Sequence, residues 1–258
     1  MNDSTVPLSP EVHAGRAWRR PADYAFAADW GEVPVALAEI AAVAVRMPFA
    51  FARGADGTGP AVPLRFAPDG PSVLIDGAGR WRASYTPHLL RAYPFRPAAD
   101  AAGTAVHVDP AALLPAGQRG ALPLFAADGA LHKATADRVA RLGAWARSRA
   151  AARSATAVLD AAGLLVPWTG VRPDLMVPDA DALARLSGAA LAEAHRSGAL
   201  QLAHLQQVSL ETLRRFPTEP ADAPVRGAGA HVPAGRPDPE AARADAFLAA
   251  VRAAAASE

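Results

Sequence analysis

The arginines Arg80, Arg82 and Arg91 alternate with the aromatic residues Trp81, Tyr85 and Tyr93 along one short stretch. Guanidinium groups bind carboxylates or phosphates through paired, charge-assisted hydrogen bonds, and they stack on aromatic faces. On a strand, the two-residue period places Arg80 and Arg82 on one face and Trp81 on the other. Arg91 can converge on them from a short helix. Arg80, Arg82, Tyr85, Arg91 and Tyr93 are therefore the candidate site for a small anionic ligand. A plainer reading is also open. In it Trp81, Tyr85 and Phe95 belong to the core, and the arginines pair with Asp76 or lie along the surface.

A second constellation is His107-x-Asp109 with a distant His204 or His195. Two residues apart on a strand, His107 and Asp109 share a face, and a further histidine would complete the 2-His-1-carboxylate pattern that holds Fe(II). Arg214 could then bind a co-substrate carboxylate. The competing reading takes Asp109-Pro110 as the end of a strand. No cofactor is predicted on the first reading, and Fe(II) belongs to the second. The glycines between Gly54 and Gly59 are not followed by Lys-Ser/Thr, so they read as a hairpin and not as a phosphate loop. Ser187-Gly188 and Ser197-Gly198 lack the Gly-x-Ser-x-Gly pattern of a nucleophile elbow and read as helix ends.

Composition narrows the choices. The chain has 258 residues, enough for a sizeable core, and a formal net charge of +1. So small an excess gives no drive toward polyphosphate, and nucleic acid is not an expected partner. Lys133 is the only lysine in a chain rich in Arg, Ala and Pro. That bias fits GC-rich coding, so an arginine cluster must be argued from position and not from abundance. The absence of cysteine excludes disulfides, thiolate metal sites and cysteine nucleophiles. The longest nearly apolar run, residues 33–45, is interrupted by Pro34 and Glu39 and is too short for a membrane span. The first ten residues show no basic region leading into an apolar one. The expected location is the cytoplasm.

The elements that must carry these side chains fall into an α+β arrangement, a β-rich N-terminal half packed against a helical C-terminal half. Residues 1–21 read as a loose lead-in, 22–216 as one domain, and 217–258 as a Pro/Ala/Gly-rich linker with a terminal helix. Strand candidates are residues 24–28, 47–53, 61–66, 72–75, 80–85 and 104–108. Residues 47–53 and 61–66 form a hairpin with a loop longer than the tightest type. Residues 72–75 and 80–85 pair across the Asp76-Gly77 turn. Helices are expected over residues 35–45 and 88–92. A long one over residues 132–163 carries Val139, Leu142, Trp145, Val158 and Leu159 on one face and stops at Gly163. Two more follow at 180–186 and 190–196, and Ser209 caps a last one ending at 215. Residues 200–208 fit either strand or helix. Residues 238–254 read as an amphipathic helix capped by Asp238, which docks on the domain or binds a partner protein.

The stretch Asp76-Gly-Ala-Gly-Arg80-Trp81-Arg82-Ala-Ser-Tyr85-Thr-Pro87-His-Leu-Leu-Arg91-Ala-Tyr93-Pro94-Phe95 resembles the signature block of the SapC family. Other pieces follow in the family's order. They are Pro48-Phe-Ala-Phe51, Pro123-Leu-Phe125-x-x-Asp128-Gly129, Ala162-Gly-Leu-Leu-Val-Pro-Trp168 and Ser197-Gly-Ala-Leu-Gln-Leu-Ala203. The resemblance runs from about Arg20 to Phe216. Family members usually carry a cysteine-containing segment near the position of His107. The family is named for an association with surface-layer proteins and their assembly or export. The resemblance thus implies a non-enzymatic accessory or binding protein of cell-surface biogenesis. The alternatives are an iron oxygenase using His107 and Asp109, or a small-anion binder using the arginines.

Overall fold

The computed structural model describes residues 5–54, 57–67, 69–98 and 105–216. The expected terminal helix over 238–254 lies outside the described residues. The chain divides into compact units Met1–Ala221 and Asp222–Glu258, and all described residues belong to the first.

The fold begins earlier than the sequence suggests. β1 (Val6–Pro7), α1 (Pro10–His13) and β2 (Arg16–Trp18) occupy the supposed lead-in. Strands this short carry no readable period, and tertiary contacts define them. Trp18 is fully buried, donates its indole N–H to Thr135 Oγ1 at 2.9 Å, and meets Phe95 edge-on at 5.1 Å. Residues 24–28 do not form a strand. Ala25–Ala27 is a 3-10 turn, set by the backbone bond from Tyr24 N–H to the Gly79 carbonyl, 2.7 Å. β3 (Glu32–Pro34) follows. The single helix expected over 35–45 is a 3-10 turn, Leu37–Glu39, running into α2 (Ile40–Ala44).

β4 (Ala50–Gly54) and β5 (Gly57–Pro63) form the expected hairpin, but its second strand starts at Gly57. Gly54 faces Gly57, which leaves two residues between them and a tighter connection than predicted. Phe49 and Phe51 are both fully buried, as their alternation requires. The hairpin expected across Asp76-Gly77 shrinks to one bridge, Ile75 to Trp81. Beyond it lie α3 (His88–Ala92), β6 (Phe95–Pro97), β7 (Val106–Val108), β8 (Leu114–Pro115) and β9 (Leu122–Pro123).

α4 (Lys133–Ala161) is the expected long helix, with Leu142, Trp145 and Leu159 buried and Gly163 past its end at φ +66°. Then come β10 (Leu165–Trp168), β11 (Arg172–Pro178), α5 (Ala180–Ala184), α6 (Gly188–Arg196) and α7 (Ala199–Leu210). The ambiguous run at 200–208 is helical. Leu202, Ala203, Gln206 and Ser209 are buried at helical spacing, and Gln206 and Ser209 bond the backbone of Phe49. Ser209 therefore sits inside α7, and the last helix expected after it is only the 3-10 turn Leu213–Arg215.

Among the described residues three antiparallel sheets result, ordered β10-β11-β4-β5-β3, β1-β7-β6 and β8-β2-β9. The overall class is α+β, with one difference. β10 and β11 come from the half read as helical and complete the main sheet, where Met176 pairs with Phe51. α4 packs along β5 and β6 and touches α3, α6 and α7, so both halves share one core. Among the described residues, no helix is long and apolar enough to cross a membrane.

Candidate functional site

Asp76 organises the turn that opens the signature block. Its Oδ1 accepts from Ala78 N–H at 3.0 Å and Arg80 N–H at 2.9 Å, and its Oδ2 accepts from the Arg80 guanidinium at 2.9 Å. The Arg80 backbone bond, then its side chain, holds the Asp76 carboxyl below the usual carboxylate range. Arg80 is thus an exposed structural partner of Asp76, as the plainer reading proposed. Arg82 is exposed, and its backbone N–H donates to the Leu74 carbonyl at 2.9 Å. Trp81 turns inward, packs near Tyr24 and donates its indole N–H to the Tyr85 carbonyl at 2.7 Å.

The chemistry of the block converges on a residue the motif does not contain, Glu39. Its carboxyl is buried and accepts four hydrogen bonds. Tyr85 O–H (2.9 Å) and His88 N–H (2.8 Å) reach Oε2, while Trp145 Nε1–H (2.8 Å) and Ala36 N–H (3.1 Å) reach Oε1. The 3-10 turn places Glu39, the start of α3 presents the His88 amide, and the middle of α4 supplies Trp145. Burial first, and then the neighbouring Glu39, push the Tyr85 hydroxyl up to about 12. Arg91 donates to the same hydroxyl at 3.3 Å, and its guanidinium lies 5.5 Å from the Tyr85 ring centre.

The packing of α3 against α4 assembles a group of cations. His88 and Arg91 are three residues apart on α3, and Arg138 and Arg141 are three apart on α4, so each pair shares a helix face. Arg138 donates to the Arg91 carbonyl and rests over the Trp18 ring at 5.1 Å. Burial, followed by the charges of Arg20, Arg141 and Arg91, lowers the pKa of Arg138. Burial likewise lowers that of His88, with Arg91, Arg138 and Arg141 adding to it and Glu39 opposing. The imidazole Nε2 is buried and has no hydrogen-bond partner among the described residues.

Tyr93 belongs to a different pair. Its ring stacks on Phe26 at 3.8 Å and its hydroxyl donates to Asp109 Oδ2 at 3.0 Å. Burial and this bond raise the hydroxyl to about 12. Asp109 also accepts from Ala111 N–H, capping the turn Pro110–Ala112. This is the strand-end role that Asp109-Pro110 suggested. His107 lies on β7, with Nδ1 3.4 Å from Thr5 Oγ1. His204 sits on α7, where it lines a shallow groove with His195 and Val208. Arg214 pairs with Glu211 at 3.5 Å. Among the described residues no three His, Asp or Glu side chains gather as a metal ligand set. His107, Asp109 and His204, the triad of the alternative Fe(II) reading, are therefore not brought together among the described residues.

Of the predicted anion-site residues, the structure joins Tyr85 to Arg91, ties Arg80 to Asp76, and places Tyr93 with Asp109. Glu39, His88, Arg138 and Arg141 stand outside the site residues that the sequence pattern points to. Glu39 did carry a signal, as the lone charge in the apolar run 33–45. Arg138 and Arg141 showed helical spacing, which the abundance of arginine hid.

The SapC family profile matches residues 8–216. The chain belongs to the SapC family. No curated protein and no solved structure matches it. The SapC match spans every described element except the short β1, and so covers α3, α4 and the turn that carries Glu39.

Proposed function

We propose that this SapC-family chain is a non-enzymatic accessory or binding protein that acts in the cytoplasm in cell-surface protein biogenesis. One observation carries the reading. The groups of the signature block best able to do chemistry are bonded to partners within the chain. Tyr85, Trp145 and the His88 amide all point at Glu39, Tyr93 points at Asp109, and Arg80 at Asp76. A general acid, base or nucleophile needs an atom facing its reactant. These groups instead tie α3, α4 and the 3-10 turn into a frame. The family's association with surface-layer proteins supplies the biological setting.

The test is genetic. In the native host, deleting the gene should lower the amount of protein displayed at the cell surface. Chromosomal Tyr85→Phe and Asp109→Asn variants that accumulate normally should restore it. A well-folded Tyr85→Phe or Asp109→Asn protein that fails to restore display would show that these groups act chemically.

A further inference from the structure

We propose that Arg91, Arg138 and Arg141, with His88, form a binding site for a dianionic phosphate group. The site does not rest on the accessory role, since a protein with no part in surface biogenesis could carry it.

The argument starts from charge. None of these three arginines has a carboxylate partner among the described residues, whereas Arg65, Arg80, Arg172, Arg196 and Arg214 each have one. The acid next to Arg138 in the chain and the acid bonded to the His88 amide are already occupied. Asp137, beside Arg138, pairs with Lys133 at 3.1 Å. Glu39, below His88, faces four donors of its own.

Two of the cations are also held in place. Arg138 is half-buried, fixed by the Arg91 carbonyl and the Trp18 ring. Arg91 is fixed by the Tyr85 hydroxyl, which Glu39 orients. Mutual repulsion among fixed like charges destabilises the unliganded fold, and an anion bound between them removes it.

The buried, unpartnered His88 Nε2 is a second and independent observation. A buried polar nitrogen without a partner carries a desolvation penalty. As Nε2–H it can donate to a ligand oxygen. Forked guanidiniums match the oxygens of a tetrahedral phosphate, and two negative charges offset several cations. A carboxylate offsets only one and has two oxygens to share among them.

The test uses the full chain and inorganic phosphate, followed by calorimetry and thermal unfolding at constant ionic strength, with chloride and acetate as controls. Phosphate should bind saturably and raise Tm, and acetate should bind much more weakly. Arg91→Gln and Arg141→Gln alter exposed side chains, and each should weaken phosphate binding about tenfold, the loss of one charged hydrogen bond. Arg80→Gln, at the Asp76 turn, should leave binding unchanged. A parallel arm sediments the protein with phosphatidylcholine vesicles, with and without phosphatidic acid. Binding to phosphatidic acid vesicles that Arg91→Gln abolishes, without binding of free phosphate, assigns the phosphate to a lipid headgroup. Binding of free phosphate alone assigns it to a soluble phosphomonoester. The proposal is overturned if neither arm shows saturable binding, or if Arg91→Gln and Arg141→Gln bind as well as the parent chain.

Discussion

Glu39 shows how much one buried side chain can organise. A carboxyl taken out of water is costly unless donors surround it, and here four do, from three different chain segments. Glu39→Ala removes all four acceptor contacts and leaves the Trp145 N–H and the Tyr85 O–H without their partner. The expected loss is about 3 kcal/mol or more, by the cost of orphaned buried donors. Glu39→Gln keeps one acceptor oxygen but turns an amide toward two donors, so it should lose an intermediate amount. Urea unfolding of the two variants measures both losses. A deficit below about 1 kcal/mol for Glu39→Ala would mean that water replaces the carboxyl without penalty.

At the scale of elements, the signature block works as a turn, a bridge and a short helix, and the turn depends on Gly79. Its φ of +77° lies in the left-handed region, and its carbonyl accepts from Tyr24. A Cβ there would lie 3.1 Å from Ala25 Cβ and 3.2 Å from Ala25 N. Gly79→Ala therefore meets both backbone strain and a clash with the 3-10 turn, and should cost about 1–3 kcal/mol. Gly77, two residues earlier, has no atom within 4 Å of a built Cβ and no positive φ. Gly77→Ala should be close to neutral. Thermal unfolding of the pair separates a steric requirement from a general intolerance of the turn. Equal Tm values for the two variants would contradict it.

For the molecule as a whole, the perturbed groups define a pH window of stability. Tyr85 and Tyr93 are raised to about 12 in the fold from an unfolded value of 10.0. Between those values the unfolded chain has released protons that the folded chain retains, so stability falls as pH rises from 10 toward 12. His88 acts at the other side. Its folded value is lowered from 6.5, so the unfolded chain binds the proton first and stability falls as pH drops below 6.5. The urea midpoint should therefore decline on both flanks. Tyr85→Phe should flatten the alkaline decline and leave the acid one in place. An alkaline decline identical in Tyr85→Phe and the parent would remove Tyr85 from this account.

Some of this was readable before folding and some was not, for a physical reason. Local regularity was readable. The period of α4, the alternation of Phe49 and Phe51, the stop at Gly163 and the helix His88–Ala92 follow from backbone geometry and side-chain spacing that neighbouring residues carry themselves. The family signature was readable for a related reason, since a turn, a strand end and a helix start impose a fixed order of residue types. Strands of two or three residues, such as β1 and β2, were not readable, because their pairing partners lie far away in the chain and supply most of what holds them. Nor was the site. Glu39, His88, Trp145, Arg138 and Arg141 are scattered across more than a hundred positions. Only the packing of α3 on α4 brings the cations together, and only the donors around Glu39 make a carboxyl tenable in the core.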